Sequence, residues 1–430
     1  MNGEKILEKI LRHGASEAEV SKKTVCEKTV IFENNRLKSL KVNNSTSYRF
    51  RAVVNNQLGV FSTNSQEHLS EAWVQVVAIA KASDFDPDAV LPEPQPLTPI
   101  SGLFEERAVT LSEVLRVARK LVEVFKNFDR RLSVDSARVE VVSSDYSIIN
   151  SKGVKAEEKR GFSQYFIMGL ATEDEAVSSF DYRMNTGVSW EKTIATVEEN
   201  AISLASCLIQ SLGARPAPIF TGEVLLSPET VSEFLEALEF LVNARNIQEK
   251  RSVFAGKIGQ TIGSSCFTLE DQPHQPGQPW STAFDSEGVP TRPLTIIKKG
   301  VLTTYLYDTY AARRDMTVST GHADGHFHSP VIQPTASLKE MRESITRGIV
   351  VRRFSGNINP INGMVSGLVK GGWYIENGQL TYPITDTMLS GDFFNLLRNI
   401  TAISQETEPT FVGPLPYLLI KGVNILGNKK

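Results

Sequence analysis

The chain has 430 residues, of which 41% are hydrophobic and 22% charged, which is close to an ordinary soluble protein and suggests two or three domains. Lysines and arginines total 46 against 49 aspartates and glutamates, and a net charge of −3 argues against a nucleic-acid-binding protein. Three distant cysteines argue against a disulfide framework or a cysteine-rich zinc site, and there is neither a signal-peptide core nor an apolar run that spans a bilayer. We therefore expect a cytoplasmic protein that binds no nucleic acid and no membrane.

The first segment, residues 1–105, is predicted to be an α+β domain that ends in a linker. Apolar spacing predicts an opening helix, marked by Ile6, Leu7, Ile10 and Leu11. Strand-like runs and turns then alternate, at Thr29–Phe32, Asn34–Asn35, Leu37–Val42, Tyr48–Val54, Asn55–Asn56 and Leu58–Phe61. After another helical stripe, five prolines between Pro87 and Pro99 indicate a semi-extended linker.

The second segment, residues 106–220, repeats this mixture of helix and strand and is predicted to be a middle α+β domain. It opens with a helical stripe formed by Leu111, Leu115, Ala118, Val122 and Phe125. Strands are predicted at Val139–Val142, Tyr146–Ile149 and Phe162–Ala171. One long amphipathic helix should follow, marked by Ile194, Val197, Ala201, Leu204 and Leu208.

The third segment, residues 221–430, is predicted to be a mainly antiparallel β domain, which makes the whole chain α+β. Its most informative stretch runs from Phe284 to Gly321. It predicts a turn at 285–288, a hairpin of Leu294–Ile297 with Val301–Tyr307 around Lys299-Gly300, and a short helix at 310–314.

The chain's one histidine cluster lies in the loop 321–328. Its members His322, His326 and His328 are an alternative set of metal ligands, with Asp324 as a fourth ligand or as a partner of a ligand. The pattern also fits a polar surface loop, and we favour that interpretation because the spacing matches no known metal motif.

A second candidate site is the helix predicted from Pro228 onward. Ser227 is a favourable N-cap and Pro228 suits the first helical position. The buried stripe is predicted to be Val231, Phe234, Leu235, Leu238 and Leu241. Another face carries Glu229, Glu233 and Glu236, which could bind a cation, although a solvated helix face is the favoured interpretation.

A third candidate is the glycine-rich tract from Ser355 to Gly378. Its glycines do not follow a phosphate-loop pattern, and such density usually marks bends or close backbone approach. A peptide lying along such a sheet could use the backbone groups there. We take Ser366, Gly367 and Gly372 as candidate substrate-binding positions.

Six stretches, taken in order, resemble the TldD/PmbA family, which is also associated with the name modulator of DNA gyrase. They are GASEAEV at 14–20, the hairpin at 50–63, INSKGV at 149–154, the stretch 284–321, the segment 366–378 with its IENG, and SGD at 390–392. Each piece is short, but their order and spacing over most of the chain are specific.

The resemblance implies a subunit rather than a complete enzyme. The TldD branch binds zinc through HExxxH and a late cysteine, whereas here Ser227 and Ser232 stand at the histidine positions and Pro228 at the glutamate position. No cysteine follows Cys266. The chain is therefore identified as PmbA/TldE-like: it should carry no cofactor of its own, pair with a zinc-bearing TldD-like subunit, and help to degrade unfolded or flexible peptides. Its catalytic residues are unknown.

Two other hypotheses stay open. The chain could be a self-contained homodimeric peptide-binding or scaffold protein without a proteolytic partner. It could also be an autonomous metallopeptidase that uses the His322–His328 loop.

Overall fold

A seven-stranded antiparallel sheet forms the front of the protein in a computed structural model that describes residues 3–427. Its strands are β1 Glu17–Glu33, β2 Arg36–Val54, β3 Gln57–Thr63, β4 Leu132–Asn150, β5 Lys155–Glu173, β6 Ala176–Val177 and β7 Asp181–Gly187. The helices beside it are α1 Gly3–Arg12, α2 Gln66–Leu69, α3 Ala72–Ala82, α4 Leu111–Phe128, α5 Trp190–Ile194 and α6 Val197–Gln210. The strand order is β3-β2-β1-β4-β5-β6, with β7 also paired to β5.

The front sheet is held in register by tight asparagine turns. Asn34 and Asn35 connect β1 to β2 with φ of 48° and 64°, and Asn55 and Asn56 connect β2 to β3 with φ of 50° and 61°. Such left-handed pairs match the twist of a two-residue hairpin, so both predicted turns are confirmed.

The strands are much longer than the predicted runs. β1 pairs with β2 along one edge and with β4 along the other. Hydrogen bonds to two neighbouring strands keep the polar residues of β1 extended, whatever their own strand propensity. The β1–β4 pairing also joins residues of the first and second segments into one sheet.

The long helix predicted after the middle strands is present as α6, which contains four of its five apolar markers. The fifth marker, Ile194, belongs to the separate short helix α5, and the chain breaks between the two helices at Ala195 and Thr196. Asn185 of β7, a strand that was not predicted, donates its amide to the Thr193 carbonyl oxygen at 3.2 Å. The Thr196 hydroxyl lies 2.7 Å from the Tyr165 hydroxyl. The helix therefore breaks where polar groups of the sheet compete for its hydrogen bonds.

The C-terminal part of the described chain, to Gly427, is mainly β and contains two sheets. The strands are β8 Phe220–Leu226, β9 Leu269–Asp271, β10 Leu294–Lys298, β11 Val301–Leu302, β12 Pro330–Ile332, β13 Arg347–Val351, β14 Phe354–Ile358, β15 Met364–Val369, β16 Gly372–Glu376, β17 Gln379–Pro383, β18 Met388–Asp392, β19 Ile400–Thr410 and β20 Gly413–Leu426. The helices are α7 Pro228–Val242, α8 Ala244–Gln248, α9 Thr309–Arg314, α10 Leu338–Ser344 and α11 Phe393–Arg398.

The larger sheet has the order β14-β15-β18-β20-β8-β13-β16-β17, with β19 also on β20, and the smaller one β11-β10-β9-β12. Among the named strands of residues 3–427, only β8 and β13 pair in parallel. The α+β prediction with a mainly antiparallel C-terminal domain is confirmed.

The predicted hairpin around Lys299 and Gly300 is present, but its second strand stops at Leu302. The next residues leave the ladder because the Leu306 N–H donates to the Val242 carbonyl at 2.8 Å, and Tyr305 and Leu306 join the core. The short helix predicted at 310–314 is confirmed as α9.

α7 occupies the centre of the C-terminal core. Its predicted stripe from Val231 to Leu241 is buried against the larger sheet, and smaller apolar clusters lie against the front sheet. Within residues 3–427 no helix combines the length and the apolar character needed to cross a membrane.

Candidate functional site

The N-terminus of α7 carries the residues that stand at the positions of the TldD-like zinc motif. Ser227 is 1% exposed, and its hydroxyl donates to the Arg352 carbonyl instead of capping the helix. The Ser232 hydroxyl donates to the Glu229 carbonyl at 2.6 Å. Both hydroxyls are thus engaged by backbone carbonyls, and a serine hydroxyl is a weak zinc ligand. These residues do not fit a zinc ion.

Two glutamates of α7 lie in a protected environment rather than on a solvated face. Burial raises the pKa of Glu229 to about 7, against the opposing charge of Arg353, whose Nε lies 3.2 Å from its carboxylate. Burial, followed by the neighbouring carboxylates of Glu229 and Glu236, also raises the pKa of Glu233 to about 7. The favoured expectation of a solvated face holds only for Glu236, which is exposed.

The protection comes from the front sheet. Tyr182 of β7 hydrogen-bonds to the Glu229 carboxylate, and both line a cavity of about 160 Å³ with Arg352 and Glu408. Arg352 lies 3.8 Å from the Asp181 carboxylate and 3.2 Å from that of Glu408. Although burial opposes ionisation, the charge of Arg352 holds the pKa of Asp181 below its ordinary value. Charged groups from both halves of the molecule therefore meet beside α7.

A second junction of the two halves is a buried ion-pair group. Arg51 of β2 donates two hydrogen bonds to Glu19 of β1, at 2.7 and 2.6 Å, and one to Glu287, at 2.6 Å. Glu287 also accepts the Thr309 N–H at 3.1 Å. These three charged residues are at most 7% exposed. The arginine of one family-like stretch thus binds the glutamate of another, 236 positions away.

Two of the three candidate histidine ligands lie together. His322 Nε2 is 3.1 Å from Asp271 Oδ2, and the rings of His322 and His328 are 4.9 Å apart. Burial lowers the pKa of His328, and neighbouring His322 adds to this effect. Asp271, at the end of β9, also accepts the Ser329 N–H at 2.6 Å. Ligand atoms of Asp271, His322 and His328 all lie within 4.8 Å of one another.

The other candidates of this loop are directed elsewhere. The His326 side chain is 72% exposed, and its Nδ1 lies 3.0 Å from the Glu239 carboxylate of α7. Asp324 is exposed and accepts the Ser286 hydroxyl at 3.0 Å. The structure therefore groups His322 and His328 with Asp271, not with His326 or Asp324.

A polar cavity of about 480 Å³ lies between the front sheet and the C-terminal domain, and His328 is part of its wall. Lys23, Arg49 and Arg160 of the sheet contribute positive charge. The remaining lining is mostly polar or acidic and comprises Ser21, Ser47, Tyr48, Ser62, Ser144, Tyr146, Glu158, Thr282, Phe284, Asp285, Ser286 and Asp324. A mixed polar wall of this kind suits a hydrated, polar ligand better than a compact apolar one.

The glycine-rich candidates do not lie together. Ser366 and Gly367 are on β15 and Gly372 is on β16, and four strands of the larger sheet lie between. A Cβ on Gly367 would lie 2.4 Å from the Gly356 Cα, and one on Gly372 would lie 2.3 Å from the Val350 carbonyl oxygen. Close strand approach accounts for both glycines.

The sequence reasoning missed three participants in these sites. Asp271 stands in no recognisable motif, so no local signal could have found it. Arg51 and Glu287 both stand in the family-like stretches, and that shared membership was the available signal for their contact.

Comparison with known proteins supports the same family across three regions. Residues 18–83, 104–208 and 221–427 match, respectively, the models of PmbA/TldA metallopeptidase domain 1, central domain and C-terminal domain. The Metalloprotease PmbA homolog of Buchnera aphidicola is 27% identical over 281 residues, which cover 65% of this chain but only 62% of that protein. Metalloprotease PmbA of Escherichia coli O157:H7 is 25% identical over 346 residues, 77% of this chain and 74% of that protein.

Two crystal structures share the fold at 21% identity. A candidate modulator of DNA gyrase from Thermotoga maritima aligns with a TM-score of 0.90 over 98% of this chain and 99% of its own. TldE from Thermococcus kodakarensis aligns with a TM-score of 0.86 over 99% of both chains.

Proposed function

Because this chain belongs to the PmbA/TldD metallopeptidase family, we propose that it is the PmbA/TldE-type subunit of a cytoplasmic two-subunit metallopeptidase. In this proposal a separate TldD-like chain carries the catalytic zinc, and the complex degrades unfolded or flexible peptides.

The observation that carries the proposal is the chemistry at the start of α7. Ser227 and Ser232 replace imidazoles, and both hydroxyls already donate to backbone carbonyls. Pro228, at the first helical position, has neither a carboxylate nor a backbone N–H to offer. Peptide hydrolysis by a zinc-bound water needs ligands and a general base that these three residues do not supply.

The remaining polar surface suits a role in holding substrate. The 480 Å³ cavity presents both charges and many hydroxyls to a ligand. Such a wall makes polar contacts with peptide backbone of varied sequence instead of selecting one compact apolar side chain. In our proposal this chain completes the peptide chamber of the complex, and its partner performs the hydrolysis.

The test uses an unstructured fluorogenic peptide with this chain alone, a TldD-like partner alone, and their mixture. We expect cleavage by the mixture and far less by either chain alone. The matched control replaces the first histidine of the partner's HExxxH motif by alanine, and should abolish cleavage without dissociating the complex.

Cleavage by this chain alone after metal removal would overturn the subunit proposal. So would a stable complex with no gain in cleavage. Light scattering that finds only a homodimer, unchanged by any TldD-like chain from the same genome, would favour the scaffold alternative.

A further inference from the structure

We propose that Asp271, His322 and His328 form a binding site for one divalent first-row transition-metal ion. The site is built from β9 and the loop 321–328 and involves none of the α7 positions. It goes beyond the proposed subunit role, which neither requires nor forbids it.

One nitrogen of each imidazole lies within hydrogen-bond distance of a backbone carbonyl. His328 Nε2 lies 2.7 Å from the Gly321 carbonyl oxygen, so it carries the hydrogen and donates it. His322 Nδ1 lies 3.0 Å from both the carbonyl oxygen and the hydroxyl oxygen of Thr320, and in the tautomer that binds metal it donates to the carbonyl. In that tautomer His322 Nε2, beside Asp271, carries a lone pair, and so does the second ring nitrogen of His328. Metal-binding histidines are commonly oriented by such carbonyl partners.

In this tautomer two acceptors face each other. The lone pair of His322 Nε2 and the carboxylate oxygen Asp271 Oδ2 are 3.1 Å apart. A metal ion between them accounts for this contact, as does a hydrogen on Nε2 in the other tautomer of His322. The carboxylate cannot turn away freely, because it also accepts the N–H groups of His328 at 3.2 Å and Ser329 at 2.6 Å.

The spacing suits a small ion. Zinc–nitrogen and zinc–oxygen bonds of about 2.0–2.2 Å in a tetrahedron place neighbouring ligand atoms about 3.3 Å apart. The His322–Asp271 pair is already at 3.1 Å. All ligand atoms of the group lie within 4.8 Å of one another. No two of them therefore have to approach by more than roughly 1.5 Å to reach the separation found in a tetrahedral site. Two imidazoles and one carboxylate suit zinc, iron(II) or manganese(II) better than calcium.

Access to this group is from the large cavity. Asp271 is 0% and His322 1% exposed, whereas half-buried His328 contributes to the cavity wall. An ion would therefore reach the two buried ligands past His328. The competing state is metal-free, with His322 Nε2–H donating a hydrogen bond to Asp271.

The test titrates the chelator-stripped full-length chain with zinc sulfate by calorimetry. Wild type and His326→Ala should each bind one equivalent, because His326 is an exposed neighbour outside the group. His328→Ala should bind at least about 100-fold more weakly, since loss of an outer partner alone typically costs 10- to 100-fold. Circular dichroism verifies that each variant is folded.

If His328→Ala does not fold, the absorption spectrum of His326→Ala after addition of cobalt(II) provides a second measurement. Intense d–d bands would support a low-coordinate protein site, and the weak spectrum of the hydrated ion would overturn it. Absence of zinc binding by wild type, equal binding by folded His328→Ala, or loss in His326→Ala would also overturn the proposal. None of these readouts involves peptide cleavage, so this site and the subunit role can fail independently.

Discussion

At the scale of single residues, two carboxyl groups of α7 stay partly protonated at neutral pH, where free glutamate is ionised. Burial raises the pKa of Glu229 and Glu233 to about 7 from an ordinary value of 4.5. Glu229 has Arg353 as an ionic partner, whereas the charged neighbours that affect Glu233 most are other carboxylates. Glu233 is therefore the clearer probe of this environment.

We predict that Glu233→Gln makes the protein less sensitive to pH. Between about pH 4.5 and 7 the folded chain binds a proton at Glu233 that the unfolded chain releases. The resulting stability is fully present below about pH 4.5 and is lost as pH rises through about 7. One pKa unit corresponds to about 1.4 kcal/mol. As pH rises, the free energy of unfolding of the wild type should therefore fall by on the order of 1–3 kcal/mol more than that of the variant.

Thermal unfolding from pH 4.5 to 8 measures this difference. Exposed Glu236→Gln on the same helix is the control: it removes only one of the lesser causes of the raised Glu233 pKa, so it should keep most of the wild-type pH dependence. Parallel curves for wild type and Glu233→Gln would show that Glu233 titrates normally.

At the scale of elements, the larger C-terminal sheet depends on glycines where strands approach closely. Gly367 of β15 lies opposite Gly356 of β14, beside the Phe354 ring. A Cβ on Gly367 would lie 2.4 Å from the Gly356 Cα and 2.6 Å from Phe354. On β18, by contrast, a Cβ on Gly391 would meet only Leu396, at 3.5 Å.

Gly367→Ala should therefore destabilise the protein by about 1–3 kcal/mol, the usual cost of forcing extra volume into a packed site. Gly391→Ala should change stability by less than about 1 kcal/mol. Urea unfolding at fixed pH compares the two variants. If Gly367→Ala keeps wild-type stability but weakens peptide binding, then a substrate-binding role for Gly367 would be supported over our packing explanation.

At the scale of the whole molecule, buried ion pairs connect the front sheet to the C-terminal domain. The Arg51 guanidinium contacts Glu19 within the sheet and Glu287 across the junction. Burial disfavours the ionised form of Glu287, but the charge of Arg51 and the Thr309 N–H outweigh it and hold its pKa below the ordinary value. These ion pairs therefore stabilise the junction only while all three charged residues are present.

Arg51→Met should cost about 3–5 kcal/mol, because it leaves two carboxylates buried without their cation. Arg49→Met, at an exposed position on the same strand, is the matched control and should be nearly neutral. Scanning calorimetry would record a lower unfolding temperature for Arg51→Met. An unchanged temperature would show that the two halves are held together by other contacts.

The local part of this architecture could be predicted from the sequence alone. The Asn-Asn turns, the Lys299-Gly300 turn and the buried stripe of α7 depend on residues a few positions apart. Their conformations follow from φ preferences and helical spacing, which act over short range. The ordered family-like stretches likewise sufficed to identify the family, because they are properties of the sequence itself.

Contacts between distant residues were decided only by the tertiary structure. The sequence grouped His322 with His326 because they are neighbours, but the fold places Asp271, 51 positions away, against His322. Two predicted runs merge in β2 and two in β4, and this required the pairing of both strands with β1. The raised pKa of Glu233 likewise required burial that its helix alone does not provide. Burial and long-range pairing depend on how the whole chain packs, and no local pattern encodes them.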